Sequence, residues 1–187
     1  VWKMDKDVTF FAQWSIVKYN ITYNLDGGSA NNVATYTVND TITLNNPTRA
    51  GYTFIGWTYS GQTTPTKTVS FSNEVGNKTF TANWQANLNT IIFNANGGVG
   101  EKQPQKMYTD SRENLTTNSF VYSGYTFMGW ATSASGSVAY YDGANYKMGT
   151  NSVYNLYAVW SRDAYTIGYN LNSGTATNPT TYNVDTN

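Results

Sequence analysis

The sequence predicts β-rich modules repeated in tandem, and three features carry that reading. A heptapeptide, GYTFIGW at Gly51–Trp57, returns with one substitution as GYTFMGW at Gly124–Trp130. The segments flanking it alternate apolar and polar residues with period two, as a strand with one buried face requires. An Asp-Gly or Asn-Gly pair (Asp26-Gly27, Asn96-Gly97) follows the first such segment of each copy, where left-handed backbone geometry costs little.

Each copy runs in the same order. It opens with YNITYNLDGG (Tyr19–Gly28), NTIIFNANGG (Asn89–Gly98) or YTIGYNLNSG (Tyr165–Gly174). In the first of these Tyr19, Ile21, Tyr23 and Leu25 share one face, and Asn20, Thr22 and Asn24 the other. Next, YTVNDTITL (Tyr36–Leu44) reads as strand, turn, strand. Residues 41–50 or 111–120 are the places where one short turn of helix is expected. Gly51 and Gly124 follow turn-like stretches and suit a positive φ before the signature strand. Within the signature, Tyr52 and Phe54 alternate with Ile55 and Trp57, so the strand is apolar on both faces and is expected to lie under cover on each side. The closing strand ends in tryptophan: Phe80, Ala82, Trp84 in one copy and Leu156, Ala158, Trp160 in the next. The same pattern at Phe10, Ala12 and Trp14 has no front half before it. The boundaries follow: residues 1–16 are the rear fragment of a repeat, 17–86 and 87–162 are whole modules, and 163–187 are the front of another.

Composition excludes several functions. The 187 residues carry 11 Lys+Arg against 11 Asp+Glu and no net charge, which leaves no electrostatic footprint for nucleic acid. Charged residues are 12 %, half the usual share of about 25 %. Aromatics are 16 %, so Thr, Asn, Ser and Gly must build most of the surface, a profile that suits extracellular β-proteins. Cysteine and histidine are absent. That removes disulfides, thiolate nucleophiles, imidazole bases and the usual transition-metal ligands. No apolar run approaches the ~18 residues of a membrane helix, so this segment is not expected to insert in a bilayer. The start, VWKMDKDVTFF, lacks the layout of a signal peptide.

The ordered set GG, GYTFxGW and a closing AxW resembles the Listeria–Bacteroides repeat, also called the internalin B-type B repeat. The likeness is close in FNANGG, GYTFMGWATSASGSVAYYDGANYKMG and LYAVW of the second module, and in ITYNLDGGSA and TLNNPTRAGYTFIGW of the first. Residues Tyr59–Asn77, YSGQTTPTKTVSFSNEVGN, depart from the matching part of the second module. The resemblance implies a β-rich α+β fold, namely small β-grasp (ubiquitin-like) modules in an elongated tandem array. It also implies a secreted or surface-anchored bacterial protein with no catalytic residues and no cofactor.

Candidate residues can be weighed against plainer roles. Trp57, Trp84, Trp130 and Trp160 suit either core or a sugar-stacking platform, and one-sided alternation of the closing strands favours core. A glycosidase needs two carboxylates about 5–10 Å apart, but Asp40 and Asp110 sit in polar turns and Asp26 is replaced by Asn96. Asp26, Asp40 and Asp142 show no D-x-D-x-D-G spacing for calcium. The expected function is a non-enzymatic stalk or spacer at the bacterial surface or in a secreted protein. The alternative is an adhesion or carbohydrate-binding module for a host surface protein or glycan, using Tyr59, Tyr140, Tyr141 and Tyr146 as ligand contacts. The orphan segments Val8–Trp14 and Tyr165–Leu171 also predict either disorder at both ends or weak head-to-tail self-association, since each would present an open edge.

Overall fold

Strand β1, Lys18–Asn24, buries Ile21 and half-buries Tyr19 and Tyr23 while its asparagines and Thr22 stay exposed, as period two requires. The remaining strands of the first repeat are β2 (Thr35–Thr37), β3 (Thr41–Thr43), β4 (Tyr52–Tyr59), β5 (Ser70–Ser72) and β6 (Lys78–Ala86). The second repeat has β7 (Leu88–Asn94), β8 (Gln105–Tyr108), β9 (Arg112–Asn114), β10 (Tyr125–Ala131), β11 (Asn145–Lys147) and β12 (Val153–Arg162). A short hairpin follows, β13 (Tyr165–Thr166) and β14 (Thr181–Tyr182). This is a computed structural model that describes residues 6–185; residues 1–5 and 186–187, the outer parts of the predicted end fragments, lie outside the described residues. The chain divides into two units, Val1–Gln85 and Ala86–Asn187.

Both repeats use one topology. In the first, a four-stranded sheet has the order β2-β1-β6-β4; in the second the order β10-β12-β7-β8 is the same sequence of elements read from the other edge. The opening and closing strands pair in parallel, Tyr23 opposite Phe80 and Phe93 opposite Leu156. A two-stranded ladder accompanies each sheet, β3 with β5 and β9 with β11. The first core gathers Ile21, Tyr36, Leu44, Trp57, Val69, Phe80 and Ala82. The second gathers Ile91, Phe93, Met107, Leu115, Trp130, Met148 and Leu156 among others.

The α+β, β-grasp expectation is overturned: among the described residues the fold is all-β, its strands in curled sheets, with no helix. A parallel pair needs a crossover of about a dozen residues or more, most often a helix. Here β3, β4 and β5 make that crossover in the first repeat, and β9, β10 and β11 in the second. The sequence explains why. Residues 41–50 and 111–120, where a helical turn was expected, are rich in Thr, Asn and Ser, which favour other conformations over helix, and they hold β3 and β9 instead. YTVNDTITL does contain two strands, but they are not a hairpin: β2 pairs with β1 and β3 with β5.

The end segments differ from each other. Val8–Trp14 forms no strand, and Phe11 and Trp14 are 80 % and 92 % exposed. Its sequence is that of a closing strand, but β1 and β7 already hold β6 and β12 as their parallel neighbours. The second end segment keeps its local structure. Tyr165 pairs with Tyr182 as Tyr19 pairs with Tyr36, each 146 positions on. The Tyr169 hydroxyl donates to the Pro179 carbonyl (2.8 Å) as the Tyr23 hydroxyl donates to that of Val33 (3.0 Å).

Candidate functional site

The signature strand is built around its second glycine. Gly56 and Gly129 both have φ +146°, and a Cβ would lie 2.6 Å from the Thr66 nitrogen and the Tyr140 oxygen respectively. In the second repeat the register between β10 and β12 shifts across Phe127 and Gly129, a β-bulge. The bulge breaks period two, so Phe54 and Trp57 meet on one face at 5.3 Å, and Phe127 and Trp130 at 4.9 Å. The residue between them turns outward: Ile55 is 38 % and Met128 46 % exposed. The signature is therefore covered on one face, not on both.

This geometry decides the role of the tryptophans. Trp57 and Trp130 are fully buried and ringed by Phe54, Tyr23 and Phe80, and by Phe93, Phe120 and Phe127. A ring with no exposed face cannot stack on a sugar. Neither indole N–H has a hydrogen-bond partner among the described residues. Trp84 and Trp160 are half-buried and act as clamps. Their Nε1 atoms donate to the carbonyls of Leu25 (3.0 Å) and Ala95 (2.9 Å), just before the Asp-Gly and Asn-Gly turns. Their rings lie where a Cβ on Gly28 or Gly98 would stand, at 2.5 and 2.7 Å. The second glycine of each GG pair is thus required by the closing tryptophan, a link across more than fifty residues.

The acidic residues are separately engaged. Asp26 pairs with Arg49 at 2.7 Å, and the Arg49 guanidinium lies 3.8 Å over the Tyr52 ring. Asp40 accepts hydrogen bonds from the Thr37 amide (2.7 Å) and hydroxyl (2.9 Å), which hold its carboxyl below the ordinary range. Asp110 pairs with Lys147 at 2.7 Å, and Asp142 accepts from the Asn118 amide at 2.8 Å. Among the described residues no three acidic side chains gather as a metal site would.

The four candidate tyrosines fall in different settings. Tyr59 is half-buried with its ring 5.1 Å from Phe80. Tyr146 belongs to the second core, where burial pushes its hydroxyl up to about 12. Tyr140 is half-buried and edge-on to Tyr146 at 5.0 Å. Only Tyr141, 74 % exposed, offers most of its ring to solvent. No shared platform results. A residue the sequence reading missed is Lys102, whose Nζ lies 4.4 Å over the Phe93 ring and donates to the Thr117 carbonyl at 2.5 Å. Partial burial draws its pKa below the ordinary value. It borders an open cleft of about 540 Å³ with Phe93, Asn96, Pro104 and Phe120. Nothing in its spacing distinguishes it from a solvated lysine, because only the fold of the loop after β7 brings it over the Phe93 ring.

The model of the Listeria-Bacteroides repeat domain family matches residues 19–83 and 90–159. Those two stretches cover more than half of the chain, contain both signatures, and end one residue short of Trp84 and Trp160. Two proteins of Evansella cellulosilytica are similar. One, "Putative Gly-rich membrane protein", is 32 % identical over 140 residues, 69 % of this chain and 16 % of its own length. The other, "Putative membrane protein", is 26 % identical over 171 residues, 89 % of this chain and 24 % of its own length. This chain thus spans a quarter or less of either relative. No solved structure matches. With two tandem copies of the repeat, each carrying its own signature and clamp, the chain belongs to the Listeria-Bacteroides repeat domain family.

Proposed function

We propose that this chain is a non-enzymatic spacer, a run of internalin B-type repeats that holds another part of a longer bacterial surface or secreted protein away from the envelope. One observation carries the reading. The tryptophans that the two repeats share, and the second glycine of each signature, are engaged in making the repeat itself. Trp57 and Trp130 fill cores, Trp84 and Trp160 clamp turns, and Gly56 and Gly129 permit the bulge. A duplicated catalytic site would instead place matched ionisable groups in both signatures, and the exposed polar residue the signatures share is a threonine, Thr53 or Thr126. The similarity to proteins described as membrane proteins supports a place at the cell surface.

The experiment is small-angle scattering on chains carrying two, four and six repeats. A maximum dimension that grows in proportion to repeat number supports the spacer, and a plateau overturns it. A glycan and host-protein array run on the parent and on Tyr141→Ala addresses the adhesion alternative. Binding that Tyr141→Ala abolishes would replace the spacer reading with that one.

A further inference from the structure

Two residues, Asp163 and Ala164, separate the end of β12 from the start of β13. Asp163 does not hang free. Its amide donates to the Gly124 carbonyl at 2.9 Å, and its Oδ1 accepts from the Thr126 hydroxyl at 2.6 Å. At the far end of the hairpin, the turn after β14 returns to the same glycine. A Cβ on Gly124 would lie 1.9 Å from Val184 Cγ1, so the Val184 side chain occupies the space a larger residue would fill. Beside it, Arg162 pairs with Asp185 at 2.6 Å and across the strands faces Tyr125, whose ring stacks on Tyr122 at 4.1 Å.

We propose that the corner headed by Gly124 is a docking seat, and that its partner is the first hairpin of the following repeat. Tyr165–Tyr182 is only two residue pairs long, and an isolated two-stranded hairpin is at best marginally stable in water. It has no core of its own: Tyr165, Tyr169 and Leu171 are each at least 40 % exposed. Yet it adopts the register of β1 and β2. Contact with the preceding repeat is what remains to hold it: hydrogen bonds at the root, and at the turn one side of Val184, which is otherwise open to solvent (46 % exposed). A two-residue linker alone would let the hairpin swing about Ala164, whereas Asp163 and Val184 together fix its direction. The Arg162–Asp185 pair is solvent-exposed and contributes least. Gly124 then has two reasons to be glycine, its φ of +75° and the seat it leaves for Val184. The seat is a property of the packing and stands whatever the array is for.

The test is amide hydrogen exchange on the whole chain, with Val184→Asp and Asp163→Ala made separately. Ile167, whose amide donates to the Thr180 carbonyl at 2.9 Å, reports the hairpin, and the amides of β7 and β12 report the module. We expect Ile167 to be protected in the parent and to lose protection by about tenfold or more in both variants, with β7 and β12 unchanged. The chain has no cysteine, so a spin-label pair at Ser137→Cys and Thr175→Cys gives a second readout. Its distance distribution should be narrow in the parent and broad in each variant. An Ile167 that exchanges freely in the parent, or stays protected in both variants, overturns the seat. So does simultaneous loss of protection in β7 and β12, which would make the hairpin an integral part of the second module.

Discussion

The variable halves of the two repeats, residues 59–77 and 132–152, share little sequence and make the same ladder. In the first, Trp57 exchanges two backbone hydrogen bonds with Thr66, both 2.9 Å; in the second, the Trp130 amide donates to Tyr140 at 2.7 Å and that of Tyr140 back at 3.0 Å. Further along, Phe71 faces Ile42 and Tyr146 faces Glu113 in equivalent two-stranded pairs. What fills the frame differs. Tyr36, Phe71 and Phe80 belong to the core of Trp57, while Met107, Met148 and Leu156 belong with Trp130. The opening strands differ similarly. Tyr19 lays its ring 5.6 Å from Tyr36. Seventy positions on, Asn89 is 2 % exposed and donates to the Thr109 hydroxyl (2.9 Å) and the Gly149 carbonyl (3.0 Å). The comparison teaches that glycine geometry and two tryptophans, one in the core and one at the clamp, define the repeat. The remaining core answers only to volume, as cores generally do when total size is kept.

That view is easiest to break at the tryptophans. Trp57→Ala and Trp130→Ala should each cost about 3–5 kcal/mol, enough to unfold the repeat concerned, as read by denaturant unfolding. Loss in one repeat with full tolerance in the other would end the idea of a common frame. The bulge comes next. Gly56→Ala and Gly129→Ala combine backbone strain at φ +146° with overlap at 2.6 Å, and should cost about 2–5 kcal/mol each. A neutral Gly129→Ala would mean that the strand can straighten without loss.

Asn89→Ala sharpens the difference between the fillings. It strips the Thr109 hydroxyl and the Gly149 carbonyl of a buried donor and should cost about 1–3 kcal/mol, measured by the thermal midpoint of the second repeat. Tyr19→Phe, which keeps the ring, should be close to neutral in the first.

The smallest effects are expected with pH, and their signs differ. Tyr146 titrates near 12 in the folded protein against an ordinary 10.0. The fold favours its neutral form, so that contribution is complete below pH 10 and is lost as pH rises toward 12. Tyr146→Phe should remove this alkaline loss from the second repeat. Asp40 is shifted the other way, below its ordinary 3.8. Its contribution is present above that value and disappears as pH falls through the folded pKa. Asp40→Asn should flatten the acid limb of the first repeat's stability profile, and an unchanged limb would show the Thr37 hydrogen bonds to be immaterial.

Much of this was legible in the chain because it rests on neighbours. Period two placed β1, β6, β7 and β12, and Asp-Gly and Asn-Gly marked turns in which Asp26 and Asn96 take φ of 46° and 47°. The repeat itself announced that Trp57 and Trp130 play one part. The candidate tyrosines were less legible. Residue type alone does not separate Tyr141, which faces solvent, from Tyr146, which lies in the core.

Local chemistry, then, determined which segments extend, where the chain turns and that the unit is copied, because alternation and left-handed turns are decided within a few residues. Tertiary structure decided the rest. It chose strands over a helix for the crossover, because β3 and β5 found each other across 27 residues (43 to 70). It left no room for a side chain at Gly56, where the Thr66 backbone ten residues away (56 to 66) closes in. It also joined Trp84 to Gly28 and seated Val184 on Gly124. Each of these is a meeting of atoms that sequence order keeps apart, and only the folded chain supplies the distance.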